Sequence, residues 1–143
     1  MFDFGLAKEL PTKKADALYN LSGQTGSLRY MAPEVALGKP YNLKVDVFSF
    51  SILLWEILSL QTPFSGYNVR MHKKVVVESG GRPRLNKKWS ENIQSLLSNS
   101  WCEDIHQRLN FEDVNDILRN ELFNEEGVDA SIMDSSSRTA RSM

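Results

Sequence analysis

One cysteine, Cys102, stands in a chain of 143 residues. A single thiol excludes an internal disulfide framework and any multi-cysteine metal site, and it fits a reducing compartment. Charge of one sign is also lacking. Lys and Arg number 17 against 18 Asp and Glu, a formal net charge of −1, so there is no bulk electrostatic footprint for nucleic acid or an anionic membrane. No run approaches the ~20 apolar residues of a membrane span. The most apolar segment, residues 45–60, is interrupted by Asp46, Ser49, Ser51, Glu56 and Ser59. The start, Met1-Phe2-Asp3-Phe4-Gly5, has neither the basic opening nor the apolar run of a signal peptide. What remains is the expectation of a soluble chain, cytoplasmic or otherwise intracellular. Its length suits one domain, and its 41% hydrophobic and 24% charged residues match ordinary globular composition.

Residues 1–31 lack helical periodicity and read as a long loop, which in a compact domain is functional or disordered. Pro33 suits the first turn of a short helix, which Gly38 and Pro40 stop. Asn42 is placed to cap a helix over residues 43–59 whose apolar positions lie all round the cylinder. Such a helix belongs at the buried centre of a larger body. Residues 61–66 form a turn. A helix starting near Asn68 runs to Gly80-Gly81, and Arg82-Pro83-Arg84 is extended. Ser90 caps a helix to about Ser100, and Asn110 caps the last one, with Phe111, Val114, Ile117, Leu118 and Leu122 as its stripe. Residues 124–143 are polar and charged and read as a disordered tail.

Asp3-Phe4-Gly5 alone is a weak signal, but ordered motifs follow it. They are Thr25-Gly26-Ser27-Leu28-Arg29-Tyr30-Met31-Ala32-Pro33-Glu34, then Asp46-Val47-Phe48-Ser49-Phe50, Pro63-Phe64-Ser65-Gly66, and Trp101-Cys102-Glu103-Asp104-Ile105-His106-Gln107-Arg108. In order and spacing the chain resembles the C-terminal lobe of a eukaryotic protein kinase, over about residues 2–123. The Gly26–Glu34 stretch is similar to that of serine/threonine enzymes, and the central helix and Trp-Cys segment resemble the tyrosine-kinase-like branch. The implied fold is mainly α, a kinase C-lobe fragment with a central buried helix and without the N-lobe or catalytic loop. Residues 3–34 would be its activation segment and residues 35–123 its helical subdomain.

The resemblance implies roles for particular residues. Phosphoryl transfer needs cations that bridge phosphate oxygens, so Asp3 would be a ligand of Mg2+ bound with ATP, while Gly5 lets the backbone turn and Phe4 packs inward. Thr12, Ser22, Thr25 and Ser27 are hydroxyls where a phosphate could pair with basic side chains, Thr25 being the favoured phosphosite. Ser27 holds the place of a hydroxyl that touches the catalytic aspartate. Tyr30 and Met31 would shape the pocket for the residue after the phosphorylated one, or serve as plain core. Glu34 and Arg108 would form a buried ion pair tethering the activation segment to the late helices. Asp46, among apolar neighbours, needs hydrogen bonds to its carboxylate and in the family holds the catalytic loop backbone.

Positive charge gathers at Arg70, Lys73, Lys74, Arg82, Arg84, Lys87 and Lys88. The region 70–88 is either a docking face for an acidic protein partner or a solvated helix face. His72 and His106 have no metal-ligand partners at suitable spacing and are expected at the surface.

The Gly-rich loop, the nucleotide-orienting lysine and the His-Arg-Asp catalytic loop of kinases are not encoded here. The expectation is a fragment of a kinase that acts on protein substrates, without autonomous phosphoryl transfer. The alternative is a non-catalytic, pseudokinase-like binding remnant. Ser51 stands where glycine is common, and Ile105 and Leu109 where prolines often flank the arginine turn. The central helix is expected to be only partly covered, with apolar surface left open.

Overall fold

A computed structural model describes residues 5, 7–10, 17–23 and 26–126, with backbone only for 124–126. Five α-helices and one π-helical turn carry the described chain: α1 (Pro33–Ala36), α2 (Lys44–Ser59), α3 (Val69–His72), the π turn (Lys73–Glu78), α4 (Glu91–Ser100) and α5 (Phe111–Glu126). Among the described residues there is no strand, only an isolated bridge between Tyr19 and Tyr41. The mainly α architecture expected from the sequence is what is observed.

The helices begin where short polar side chains can replace missing backbone partners. Asn68 Oδ1 accepts from Met71 N at 2.9 Å, and Ser90 Oγ from Ile93 N at 3.2 Å. At α5 the arrangement is reciprocal. Asn110 Oδ1 accepts from Asp113 N at 2.9 Å while Asn110 N donates to Asp113 Oδ2 at 3.1 Å. Asn42 sits one residue earlier than a regular cap, and its Oδ1 accepts from Lys44 N at 3.0 Å. Pro33 opens α1 as expected. The last helix continues to Glu126, past Phe123 where the apolar pattern fails, because a helix does not need an apolar stripe for its final turn. Residues 127–143, expected as a disordered tail, lie outside the described residues.

The helix expected from Asn68 to Gly80 opens into a π turn after His72. Beyond it the chain folds back so closely that Gly81 N donates to Val75 O at 2.8 Å, and a Cβ at Gly81 would lie 2.8 Å from that same oxygen. Only glycine fits there.

Phe48, Ile52, Leu96 and Leu97 are fully buried, joined by Val47, Trp55, Trp101, Val114, Met31, Ala32 and Val35. The core therefore lies where α2 meets α4 and α4 meets α5, with α1 closing one side. Ser51 is also buried, and its Oγ donates to Phe48 O at 2.6 Å. A hydroxyl satisfied inside its own helix takes the place of glycine without leaving a polar orphan.

Helix α2 is buried on one face only. Leu53, Ile57, Leu58 and the left-handed C-cap Leu60 are exposed, Ile57 by 59% and Leu60 by 90%. Leu43, at the N-cap, is also exposed and Phe50 is half-buried. An apolar face of this kind attracts apolar ligands. The 143-residue chain is expected to enhance the fluorescence of an apolar-surface dye, and Leu53→Glu with Ile57→Lys to abolish most of that enhancement while leaving the melting temperature nearly unchanged. A dye signal unaffected by the double substitution would place the exposed surface elsewhere.

Candidate functional site

The site is assembled around a buried arginine. Arg108, in the turn between α4 and α5, is 1% exposed. Its Nη1 donates to Glu34 Oε1 at 2.7 Å and its Nη2 to Glu34 Oε2 at 3.3 Å, a two-pronged pair with α1. The other donors reach backbone carbonyls: Nη1 to Lys44 O at 3.0 Å, Nε and Nη2 to Cys102 O at 3.2 and 3.0 Å. A buried guanidinium is tolerable only when its charge and donors are met in this way. One side chain thus ties together α1, the start of α2 and the turn after α4.

A second arginine joins it. Arg82 lies 4.9 Å from the centroid of the Phe48 ring and Arg108 lies 5.2 Å from it. Arg82 Nε donates to Trp101 O at 2.9 Å, and its Nη1 to Gly81 O at 2.9 Å and Val76 O at 3.1 Å. Burial, then the neighbouring Arg108 charge, pulls its pKa below the usual arginine value. Its place in the basic region 70–88 suggests either a docking face or a solvated face. The structure turns it inward as a clamp on three carbonyls. Arg70, Lys73, Lys74, Arg84, Lys87 and Lys88 are exposed.

Beside this knot a cavity of about 270 Å3 is lined by Ser27, Tyr30, Asn42, Asp46 and Ser49, with Ala7 and Lys8 at one side. Ser49 Oγ donates to Tyr30 O at 2.8 Å, and Tyr30 Oη donates to Glu56 Oε2 at 2.6 Å. That hydrogen bond, ahead of burial and of the Glu56 charge, raises the Tyr30 pKa. Glu56 was not singled out as a site residue. Its signal was a lone carboxylate inside an apolar helix, the same clue that singled out Asp46.

Asp46 departs from its expectation. No described group donates to its carboxylate, and the residue is exposed toward the cavity. Its apolar surroundings still strip water from the carboxyl and push its pKa upward. The nearby Asn42 is 4% exposed, and its Nδ2 has no partner among the described residues. Both residues line the cavity; Asn42 Oδ1 is taken by Lys44 N, while its Nδ2 and the Asp46 carboxylate have no hydrogen-bond partner among the described residues.

Loop residues 17–23 are pinned to the same wall. Tyr19 N donates to Tyr41 O at 2.9 Å, Tyr41 N to Tyr19 O at 3.1 Å, and Tyr41 Oη to Ser22 O at 2.9 Å. Gly5 is an exposed turn residue. Asp3, Phe4, Thr12 and Thr25 lie outside the described residues. Among the described residues no group of three or more His, Cys, Asp or Glu side chains could hold a metal ion.

His72 was expected at the surface and is instead 5% exposed, edge-on to Phe64 at 5.0 Å. Burial, then the Arg29 charge, lowers its pKa. A histidine held neutral in the fold but able to charge when unfolded, with an unfolded value near ~6.5, contributes stability that is complete above that value and is lost as pH falls toward the lower folded value. Unfolding free energy should therefore decline below about pH 6.5, and His72→Leu should reduce that decline. An identical pH profile in the variant would contradict the burial.

The chain's residues 1–118 match the protein tyrosine and serine/threonine kinase family. The chain belongs to the protein kinase family. This kinase sequence is 38% identical over 116 residues to the serine/threonine-protein kinase VIK of Arabidopsis thaliana, covering 78% of the chain and 26% of that protein. It is 39% identical over 140 residues to the dual specificity protein kinase shkB of Dictyostelium discoideum, covering 95% and 20%. With human mitogen-activated protein kinase kinase kinase 7 it shares 34% over 117 residues, covering 81% and 18%. The chain thus spans between about a fifth and a quarter of the length of these curated kinases. No helix among the described residues is long and apolar enough to cross a membrane.

Proposed function

We propose that residues 1–123 are the substrate-holding part of a serine/threonine protein kinase of the tyrosine-kinase-like branch. The whole enzyme transfers the γ-phosphate of ATP to a protein Ser or Thr with Mg2+. The observation that carries this reading is the two-pronged Glu34–Arg108 pair, 2.7 Å at its shorter contact, between residues 74 positions apart. It anchors the segment from Ser27 to Glu34 against α2, so that Tyr30 and Ser27 border the cavity in which a substrate's backbone would be positioned. Asp3 would hold Mg2+, which neutralises developing phosphate charge when ATP is bound. Thr25 is the proposed phosphosite, and Ser27 the hydroxyl facing the catalytic aspartate. Asp46 and Asn42 would accept from and donate to the backbone of the catalytic loop.

The 143-residue chain alone carries no described general base or phosphate cradle, and it is expected to be inactive. Incubation with radiolabelled ATP, Mg2+ and a generic protein substrate should give no label transfer. Transfer that survives Asp3→Asn would refute the mechanism. An in-frame upstream coding sequence that supplies a His-Arg-Asp loop and a Gly-rich loop, and restores transfer when joined to this chain, is the expected companion result.

A second reading is a non-catalytic binding module. It is favoured by the exposed cations Arg70, Lys73, Lys74, Arg84, Lys87 and Lys88, which suit an acidic protein surface. Absence of any such upstream sequence would favour it.

A further inference from the structure

A second cavity, about 220 Å3, lies between the activation segment and α3, lined by Ser27, Arg29, Phe64, Tyr67, Asn68 and His72 among others, with no carboxylate in its lining. Its two cationic or protonatable groups have few protein partners. Arg29 Nη1 donates to Pro63 O at 3.1 Å, the one hydrogen bond of this side chain among the described residues, so four of the guanidinium's five donors have no partner there. His72 is 5% exposed, yet neither Nδ1 nor Nε2 has a partner among the described residues. A buried imidazole with both nitrogens unmet costs free energy in the empty state, and a ligand that supplies a partner recovers it. Phe64, with its backbone in the left-handed region at φ 54°, holds its ring edge-on to that imidazole. Along α3 and the π turn Arg70, Lys73 and Lys74 are exposed, and the first acid in that stretch is Glu78 at its far end.

We infer that this cavity receives an anionic side chain, a carboxylate or a phosphate, from the protein substrate, with Arg29 as its charge partner and His72 as its hydrogen-bond partner. The inference rests on the protein-kinase reading proposed above and adds to it a substrate class: sequences with an acidic or already phosphorylated residue near the acceptor hydroxyl. The volume admits a whole side chain rather than a single water. The charge sign is complementary, since one fixed cation and one protonatable ring face a space that holds no acid. Tyr67 and Val69, both exposed, supply apolar wall for the neighbouring methylene groups.

The test is fluorescence anisotropy of the 143-residue chain with labelled serine-centred peptides. In these, one flanking position at a time is Glu, phosphoserine, Gln or Lys and the rest are Ala and Gly. At one position Glu and phosphoserine should bind about tenfold or more tighter than Gln, the size of a charge-assisted hydrogen bond, with Lys weakest. Tighter binding of phosphoserine than of Glu assigns the phosphate, and the reverse assigns the carboxylate. Arg29→Gln should bring the Glu-to-Gln ratio close to one, His72→Leu should reduce it partly, and Arg29→Lys should keep it. Thermal melts of all three variants show that each is folded, and the Arg29→Lys and His72→Leu pair carries the test should Arg29→Gln melt early. Equal or absent binding of the four peptides at every position would overturn the inference, as would an acid preference that survives Arg29→Gln in a folded chain. The assay reads binding rather than turnover, so its failure leaves phosphoryl transfer standing, and a failed transfer assay leaves the preference measurable.

Discussion

Arg108→Met should lower the unfolding free energy by about 3–5 kcal/mol, the usual cost of removing one member of a buried pair. The loss has two parts. Glu34 keeps a carboxylate that is only 11% exposed in its side chain, now without a counter-charge. The carbonyls of Lys44 and Cys102 lose the donors that reach them at 3.0 to 3.2 Å. Methionine fills much of the volume and cannot replace either. Urea unfolding followed by circular dichroism measures the change. A loss below about 1 kcal/mol is what an exposed pair would give, and it would show that the guanidinium is hydrated in solution. Because the pair joins α1 to the turn before α5, proteolytic cleavage within residues 17–32 should also accelerate in the variant.

Phe48→Ala is the second large effect, about 3–5 kcal/mol for a buried aromatic. The ring is fully buried and has two guanidinium groups within about 5 Å of its centroid. Deleting it opens a cavity in the α2–α4 core and removes the negative ring face that partly offsets the mutual repulsion of Arg82 and Arg108. A chain of this size should lose more than about 10 °C in Tm. The control is Leu60→Ala at a position 90% exposed, expected to shift stability by less than about 0.5 kcal/mol. Similar shifts at both sites would mean that the ring is not in the core.

Much of this was legible in the residue order, for physical reasons that differ from site to site. Ser90, Asn68 and Asn110 marked helix starts because capping is local: a short polar side chain satisfies backbone donors within three residues of itself. The Glu34–Arg108 pair has no local signal at all, with 74 positions between its members. It was expected only through the family resemblance, and the structure brings the two together. Arg82 and His72 were misjudged for one shared reason. Polar side chains inside a polar-looking segment carry no pattern that says which way they point, and here Gly81's tight return beneath Val75 swings Arg82 onto Trp101 O while Phe64 covers His72. The burial of α2 on one face alone was anticipated from its all-round apolar pattern combined with the shortage of partners. Asp46 was placed correctly in the helix but expected to accept hydrogen bonds, and no described group donates to it. The metal ligand Asp3 and the phosphosite Thr25 remain proposals, outside the described residues.

The most direct measurement is a double-mutant cycle on Glu34→Gln and Arg108→Met, read by urea unfolding of the chain. A coupling energy of at least about 2 kcal/mol is predicted, since two groups in one buried network cannot be removed independently. Additivity of the two single losses within about 0.5 kcal/mol would contradict the proposal that this bond fastens the substrate-facing segment to the helical body.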